Sequence, residues 1–332
     1  MTASERRAIL LLAHGTPDAL NEIPEYLRNV TSGRPIPQAA VDEITHRYSL
    51  IGKSPLNDIT MAQARLLRQH IGLPVYVGMR NWKPYIATVV RQMREDGISS
   101  AAAICLAPQN SRTSVGLYRR AVLAEAGRDL LVDFTETWAD HPLLIEAFAE
   151  RLRSKCRELA AEVGPSIPIV FTAHSVPCRT VQSASPTTES RPPAGASDPD
   201  PYAVEAKRTA ALVAAQLRKE GLRDDNWFFA FQSQGISGGP WIGPTVEDTL
   251  STLRKAGHTT VIIQPIGFLC DHVEILYDID IGFREYGRKL GLRVERTGSL
   301  NESPTLTRTL ADLAERALAR LAAHSTTVVP VP

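Results

Sequence analysis

Residues 8–17 read AILLLAHGTP, and residues 168–177 read PIVFTAHSVP. In each stretch an apolar run ends in a histidine, His14 or His174, and a proline-marked turn follows. Short apolar runs bounded by turn residues are typical of buried strands. Because the two histidines lie about half of the 332-residue chain apart, the repeat predicts two similar domains that face one cleft. A chance match of a few positions is the alternative.

Further short apolar runs predict strands at 74–79, 101–107, 130–134, 227–232, 260–268 and 292–295. Helical spacing between the runs predicts helices that include 86–93, 143–159 and 204–217. Alternating strands and helices indicate parallel sheets, and runs that are apolar throughout indicate sheets with helices on both faces. We therefore expect an α/β protein with two similar Rossmann-like domains, each with a mainly parallel sheet flanked by helices.

The repeat sets the expected domain limits at residues 1–162 and 163–325, with the final helix packing back on the first domain. Residues 181–201 are rich in Ser, Pro, Thr and Gly, a composition that cannot bury a core. We expect a surface loop there and a flexible tail at 326–332.

Composition and charge exclude several classes of function. The 37 basic and 36 acidic residues give a net charge of +1 and form no basic stripe, so we expect no nucleic-acid partner. The four cysteines form no CxxC pair, which argues against a disulfide framework or a structural zinc site and fits a cytoplasmic location. The apolar runs are too short for a signal-peptide core or a membrane-crossing helix, so no transmembrane segment is expected.

The histidines differ in their expected positions. In open α/β sheets ligands bind at the carboxyl ends of the strands, where His14 and His174 lie. Solvated or capping roles are the default for the histidines in helical or loop contexts, which are His46, His70, His141, His258 and His324.

A second polar group follows the seventh predicted strand. Residues 265–283 read PIGFLCDHVEILYDIDIGF, with the strand expected to end near Phe268. The next helix is expected to begin around Asp271 or His272, and Asp271 is a natural N-cap. Glu274 and Asp278 lie four residues apart, so both carboxylates project from one helix face and can share or pass on a divalent cation. Such a pair is more often a solvated face, but its position at the cleft favours a metal-handling role.

Several longer segments occur together in the sequence: HGTP at 14–17, RYSLIGKSPL at 47–56, GMRNWKPYI at 78–86, LAP at 106–108, TAHSVP at 172–177, FQSQG at 231–235, PWIGP at 240–244 and PIGFLCDHVEILYDID at 265–280. In this order and spacing they resemble the ferrochelatase family over nearly the whole chain. The resemblance implies a chelatase-like fold. It also implies an enzyme of haem biosynthesis that inserts Fe²⁺ into a porphyrin without ATP.

The resemblance assigns His174 and Glu274 to the catalytic pair that faces the family's porphyrin. Imidazole accepts protons or binds metal near neutral pH, and a carboxylate holds a partly hydrated cation. Which of the two is the proton acceptor and which the metal ligand stays open. Asp278 continues a line of carboxylates along a family helix that has a π-type turn, although Gly282 stands where relatives often have another acid.

By the same resemblance, other residues are expected to bind the porphyrin. Arg47, Ser54 and Tyr118 align with residues that contact the macrocycle or its propionates, and Trp241 lies in a family segment near the cleft. For Tyr118 and Trp241 ordinary core or rim packing is the alternative. His14 stands where relatives carry other residues, including a tyrosine that approaches the iron from the opposite face. We expect His14 to be a porphyrin-site residue that could coordinate iron, but not the base.

The identity of the porphyrin stays open between coproporphyrin III and protoporphyrin IX. The FQSQG and PWIGP segments resemble the Gram-positive type of enzyme, which uses coproporphyrin III. Against this, Thr31 and Ser32 stand near where relatives that process coproporphyrin carry adjacent arginines.

No cysteine follows Cys270, so we expect neither an iron-sulfur cluster nor any other permanently bound cofactor, with Fe²⁺ entering as a substrate. We expect a monomer that makes transient contacts with other haem-pathway enzymes.

Other functions fit two lobes with strand-end histidines. A sirohydrochlorin chelatase for cobalt or nickel would differ in its preference for metal and tetrapyrrole. A non-catalytic tetrapyrrole-binding protein would retain haem without inserting metal. A periplasmic solute-binding protein is opposed by the missing signal-peptide pattern.

Overall fold

The computed structural model of the chain describes residues 6–112, 114–181, 200–218, 226–235 and 239–326. Its strands are β1 (Arg7–Ala13), β2 (Val75–Met79), β3 (Ser100–Cys105), β4 (Leu131–Thr135), β5 (Ile169–His174), β6 (Trp227–Gln232), β7 (Thr260–Pro265) and β8 (Arg293–Arg296). Each predicted strand is present, so the expectation from the apolar runs is confirmed.

The helices fill the intervals between the strands. The α helices are α1 (Ile23–Val30), α2 (Gln38–Ile51), α3 (Leu56–Ile71), α4 (Ile86–Glu95), α5 (Val115–Ala126), α6 (Pro142–Val163), α7 (Cys178–Val181), α8 (Tyr202–Arg218), α9 (Val246–Lys255), α10 (Val273–Leu276), α11 (Arg284–Leu290) and α12 (Pro304–Thr326). A short 3₁₀ helix (Leu20–Glu22) precedes α1, and a π-helical segment (Asp278–Phe283) connects α10 with α11.

The strands form two parallel four-stranded sheets with the same strand order. The first sheet is ordered β2-β1-β3-β4 and the second β6-β5-β7-β8. In each sheet the direction in which successive strands are added reverses beside β1 or β5. Open α/β sheets bind ligands at such a reversal. The α/β fold with two similar sheets is therefore confirmed, and His14 and His174 occupy equivalent points at the two reversals.

The seventh strand ends earlier than the sequence predicts. Pro265 is its last paired residue, opposite Thr172 of β5. The next two amides, of Ile266 and Gly267, both donate to the Thr172 carbonyl, at 2.9 and 3.2 Å. This turns the chain out of the sheet before Phe268, which lies in the loop above the sheet edge.

One apolar core joins the two halves of the molecule. It contains buried side chains from the first strand of each sheet, such as Leu11 and Phe171, together with residues of α6, α8 and α12. Helix α12 lies against β3 and β4, and Arg320 on this helix holds Asp133 of β4 through contacts of 2.7 and 2.9 Å. The final helix thus crosses to the first sheet and fixes it relative to the second.

Two predicted segments lie largely beyond this description. Residues 182–199 of the expected surface loop and 327–332 of the expected tail lie outside the described residues.

Among the described helices, none combines the length and apolar composition needed to cross a bilayer.

Candidate active site

A cavity of about 330 Å³ lies between the carboxyl ends of the two sheets, within the size range of small-molecule sites. Both halves of the chain contribute walls. The first half supplies the end of β1, Arg80 after β2, and residues of α1, α2, α3 and α5. The second half supplies the end of β5 and the segment 267–274. The predicted site residues that line it are His14, Ser54, Tyr118, His174 and Glu274.

His174 and Glu274 face each other across this cavity. His174 is the last residue of β5, and its Nδ1 donates to the Ser175 carbonyl. The other ring nitrogen, Nε2, lies 3.4 Å from Glu274 Oε1. About a third of each side chain is exposed, at 33% and 34%. The pair is therefore accessible to a ligand in the cavity.

The two groups shift each other's pKa in opposite directions. Burial alone would lower the pKa of His174, but the Glu274 carboxylate and the Ser175 carbonyl together raise it to about 9. Burial alone would raise the pKa of Glu274, but His174 and the neighbouring histidines hold it well below its usual range. Without a ligand the pair is an imidazolium and a carboxylate at neutral pH.

His272 begins helix α10 and was not assigned a role from sequence. Its Nδ1 accepts the Glu274 backbone amide at 3.2 Å, which makes His272 the N-cap; the sequence-based choice of Asp271 is wrong. The centre of the Phe268 ring lies 4.7 Å from the centre of the His272 ring and 6.4 Å from the centre of the His174 ring. His272 thus lines the cavity and fixes the backbone that carries Glu274.

Asp271 binds the chain elsewhere, which is why it does not cap the helix. Its carboxylate accepts the Ser299 hydroxyl at 2.7 Å and the Asn301 amide at 2.8 Å. Arg296 reaches the same carboxylate at 3.2 Å and holds Asp280 of the π-helical segment at 2.8 and 3.0 Å. The network ties both ends of the Glu274 segment to β8 and the loop that follows it.

His14 lies on the wall formed by the first sheet. The Tyr26 hydroxyl lies 3.0 Å from its Nε2, and the Asn81 amide lies 3.0 and 3.2 Å from its ring nitrogens. The ring is accessible inside the cavity, yet the walls remove it from bulk water, and this desolvation lowers its pKa to about 4. The charge of Arg80 adds to this effect. His14 is therefore a neutral imidazole near pH 7, the form that can coordinate a metal.

The polar residues beside His14 are tightly connected, with one exception. The Thr16 hydroxyl lies 2.8 Å from the Tyr48 hydroxyl, and the Asn57 amide donates to the Thr16 carbonyl at 2.7 Å. The hydroxyl of Ser54 is buried and finds no hydrogen-bond partner within the described part of the chain. Ser54 also lines the cavity, so a small shift of the wall would let a polar ligand atom bind this hydroxyl.

Arg47, Asp278 and Trp241 are not among the residues that line this cavity. Arg47 pairs with Glu43 at 2.9 Å and with Asp278 at 3.5 Å. Its guanidinium also lies 5.0 Å from the Tyr277 ring centre. Arg47 and Asp278 line a neighbouring cavity. The centres of the Trp241 and His174 rings lie 6.4 Å apart.

Asp278 begins the π-helical segment, and the expected π-type turn is present. The Ser233 hydroxyl donates to its carboxylate. Burial, followed by the nearby Glu274 charge, raises the pKa of Asp278 to about 6. No cluster of three or more potential metal-ligating side chains is found among the residues that the structure describes.

The site includes residues that sequence reasoning did not single out, among them Tyr26, Tyr48, Arg80 and His272. Three of these lie inside segments already recognised as characteristic, RYSLIGKSPL, GMRNWKPYI and PIGFLCDHVEILYDID. Their presence in those segments was the available signal. Tyr26 carries no comparable signal in the sequence.

Comparisons with known proteins agree with one another. The sequence model of the ferrochelatase family matches residues 6–318. A ferrochelatase of Acidobacterium capsulatum is 62% identical over 319 residues, covering 96% of this chain and 97% of that protein. A coproporphyrin III ferrochelatase of Mycobacterium leprae is 35% identical over 323 residues, covering 95% of this chain and 87% of that protein.

Among solved structures, the sirohydrochlorin chelatase SirB from Bacillus subtilis subspecies spizizenii, in complex with cobalt, matches with a TM-score of 0.55. The alignment covers 96% of this chain and 97% of that one, at 11% sequence identity. A likeness at this identity concerns the fold alone.

Proposed function

The chain belongs to the ferrochelatase family and is a metal chelatase, and from this premise we propose that it inserts Fe²⁺ into coproporphyrin III in the cavity between its sheets. The observation that carries the proposal is the 3.4 Å approach of His174 Nε2 to Glu274 Oε1 at the cavity wall. One group that exchanges protons and one that attracts cations thus meet where a flat ligand can reach both.

His174 is the proton acceptor in this proposal. A free-base porphyrin releases two pyrrole protons when its nitrogens bind Fe²⁺, so the site needs a base beside the macrocycle. Nδ1 of His174 donates to the Ser175 carbonyl, which leaves Nε2 to exchange protons with the cavity. Protons accepted there leave to solvent through the exposed part of the ring.

Glu274 receives the iron, and this binding lowers the pKa of His174. In the resting pair the Glu274 charge raises the pKa of His174. A divalent cation beside Glu274 neutralises that charge, so the pKa of His174 falls and its resting proton leaves. The arriving metal thus converts the imidazolium into the base that the porphyrin requires. Asp278, whose pKa is about 6, is the next carboxylate on the path to Glu274.

The macrocycle lies between His14 on one wall and His174 with Glu274 on the other. Ser54 and Tyr118 contact its edge, and the neutral His14 imidazole approaches the metal from the face opposite His174. Arg47 and Trp241 act from beside the cavity, where Arg47 pairs with Asp278 and the Trp241 ring lies near the His174 ring.

The choice of coproporphyrin III rests on the FQSQG and PWIGP segments and on the likeness to a relative named for that substrate. Protoporphyrin IX is the competing substrate, because this chain has Thr31 and Ser32 near where relatives that process coproporphyrin carry adjacent arginines. The sirohydrochlorin chelatase resembles this chain in fold alone and favours no second function.

Further features belong to the same proposal. The domains span residues 1–162 and 163–325, the protein acts as a cytoplasmic monomer, and it contacts other haem-pathway enzymes transiently. It needs no permanently bound cofactor, because the reaction consumes Fe²⁺ and involves no electron transfer.

The test is an anaerobic assay with Fe²⁺ and either porphyrin, followed by the absorbance of the metalloporphyrin. We expect insertion well above the uncatalysed rate, with coproporphyrin III preferred when both porphyrins compete. His174→Ala should abolish turnover, whereas His70→Ala, on the exposed face of α3, should leave it unchanged. A wild-type rate equal to the rate without protein overturns the proposal.

A further inference from the structure

We propose that Arg80 anchors a propionate carboxylate of the bound porphyrin; the inference rests on the function proposed above. Arg80 directly follows the last residue of β2, and its amide donates to the Ala13 carbonyl at 3.0 Å. This bond fixes the backbone of Arg80 beside the end of β1, next to His14. Its side chain forms part of the cavity wall.

The guanidinium of Arg80 has no protein partner within the described residues. No described carboxylate oxygen lies within 4.0 Å of it, and no side-chain hydrogen bond from it is formed there. The neighbouring cations differ, since Arg47 pairs with Glu43 and Asp278, and Lys53 pairs with Asp18 and Asp58. Arg80 is partly buried and open to the cavity, so its natural partner is an anion that enters there.

Arg80 is also the only lysine or arginine among the described residues that line the cavity. The other cationic group of the cavity, the His174 imidazolium, is already paired with Glu274. Arg80 therefore supplies the unpaired positive charge, among the described residues of the cavity wall, that an anionic ligand group can bind. Burial raises the pKa of the Tyr118 hydroxyl well above its usual value, and the Arg80 charge opposes that rise. The positive charge therefore acts on the region around Tyr118 and His14.

The energetics explain why a carboxylate is required and a porphyrin ring alone is insufficient. The Arg80 guanidinium is only partly buried, so solvent can reach it through the cavity. A bound macrocycle would exclude solvent from the guanidinium, and an unpaired charge against an apolar ring is costly. A propionate restores the balance through two parallel charge-assisted hydrogen bonds, a geometry that suits arginine better than lysine. Arg80 thus favours porphyrins with a carboxylate at this edge and disfavours those without one.

The test compares two porphyrins on two proteins by fluorescence-quenching titration in the absence of metal. Coproporphyrin III carries propionates, and etioporphyrin, dispersed in non-ionic detergent, carries none. For Arg80→Gln we expect binding of coproporphyrin III to weaken by about 10- to 100-fold, as for the loss of a charged hydrogen bond. Binding of etioporphyrin should be unchanged or tighter, because the unpaired charge is gone.

Two further variants complete the design. Arg80→Lys should restore part of the coproporphyrin affinity, since it returns the charge without the paired donors. Arg65→Gln, an exposed arginine on α3 away from the cavity, should leave both affinities unchanged. An equal loss for both porphyrins in Arg80→Gln, or no loss for coproporphyrin III, overturns the role of Arg80. Wild-type protein that binds neither porphyrin overturns the proposed function itself, and the inference with it.

Discussion

Arg296 of β8 holds Asp280 of the π-helical segment through two parallel contacts, Nε to Oδ1 at 3.0 Å and Nη2 to Oδ2 at 2.8 Å. The same guanidinium reaches Asp271 at 3.2 Å. Two residues before Asp271, the Leu269 carbonyl accepts the backbone amide of Asn301. Glu274 lies between the two acids in the chain. Its position in the cavity therefore depends on an arginine from a strand outside the cavity wall.

Replacing Arg296 should test this dependence. Arg296→Gln removes the cation that pairs with Asp271 and leaves Asp280, among the described residues, only its longer contact with Arg284, at 3.5 Å. We expect a loss of about 2 kcal/mol in the free energy of unfolding, measured by urea denaturation. Fully buried pairs cost more, but about a fifth of each carboxylate is exposed here. We also expect kcat to fall more than the KM for porphyrin rises, because Glu274 loses its alignment with His174.

Arg293, two residues earlier on the same strand, provides the matched control. It pairs with Glu162 and Glu295 at the surface, where ion pairs contribute little. Arg293→Gln should change the free energy of unfolding by less than about 1 kcal/mol and leave kcat unchanged. Equal effects of the two substitutions would refute a special role for Arg296.

The catalytic pair makes a second prediction. His174→Gln keeps a polar side chain of similar reach but removes the proton acceptor, and general-base catalysis typically contributes about 10²- to 10⁴-fold. We expect a loss in kcat of that order, with the affinity for porphyrin changed little. Steady-state rates and fluorescence titration of the metal-free porphyrin measure the two quantities separately. His258→Gln is the control, because His258 is not among the residues that line the cavity.

How much of this site the sequence predicts depends on the range of the contacts. The ends of β1 and β5 are marked locally by an apolar run and a turn, so the sequence places His14 and His174 correctly at the carboxyl ends of these strands. The cap of α10 was mispredicted because Asp271 is bound by Arg296 and Asn301, which lie 25 and 30 positions away in the chain. Such partners are invisible until the fold brings them together.

Arg47 illustrates the same limit. Arg47 is the first residue of RYSLIGKSPL, and the family resemblance predicts that it contacts the porphyrin. In the structure it pairs with Asp278, 231 positions along the chain, and lines the neighbouring cavity. Arg80, which has no side-chain partner among the described residues, and His272, which caps α10, illustrate the converse. Whether a polar side chain is paired follows from tertiary contacts, which the residue type and the local pattern do not reveal.

The pKa of His174 predicts a pH dependence of stability. Its pKa is raised from about 6.5 to about 9 on folding, so its contribution is complete below pH 6.5 and is lost as the pH rises through 9. Glu274→Gln removes the carboxylate that contributes most to raising this pKa, so the pKa of His174 should fall in the variant. Between pH 6.5 and 9 the wild-type protein should lose stability that the variant does not lose.

Two measurements check this expectation. Urea unfolding at pH 6 and pH 9 gives the difference between wild type and Glu274→Gln, in which the titrations common to both proteins cancel. NMR titration of the His174 ring, assigned with His174→Gln, gives its pKa directly. A ring that titrates near 6.5 in both proteins would show that the Glu274 charge does not act on it.

The buried hydroxyl of Ser54 makes the last prediction. It has no hydrogen-bond partner within the described residues, and a buried polar group without a partner costs about 1–3 kcal/mol. Ser54→Ala should therefore leave the free energy of unfolding unchanged or increase it. Binding of coproporphyrin III should weaken, because the Ser54 hydroxyl no longer donates a hydrogen bond to the ligand. Thr135→Val is the matched control: its hydroxyl is likewise buried without a partner, but Thr135 lies on β4 and does not line the cavity. If both substitutions stabilise the protein and only Ser54→Ala weakens porphyrin binding, the unsatisfied hydroxyl belongs to the binding site. If Ser54→Ala binds porphyrin as tightly as wild type, Ser54 makes no contact with the ligand.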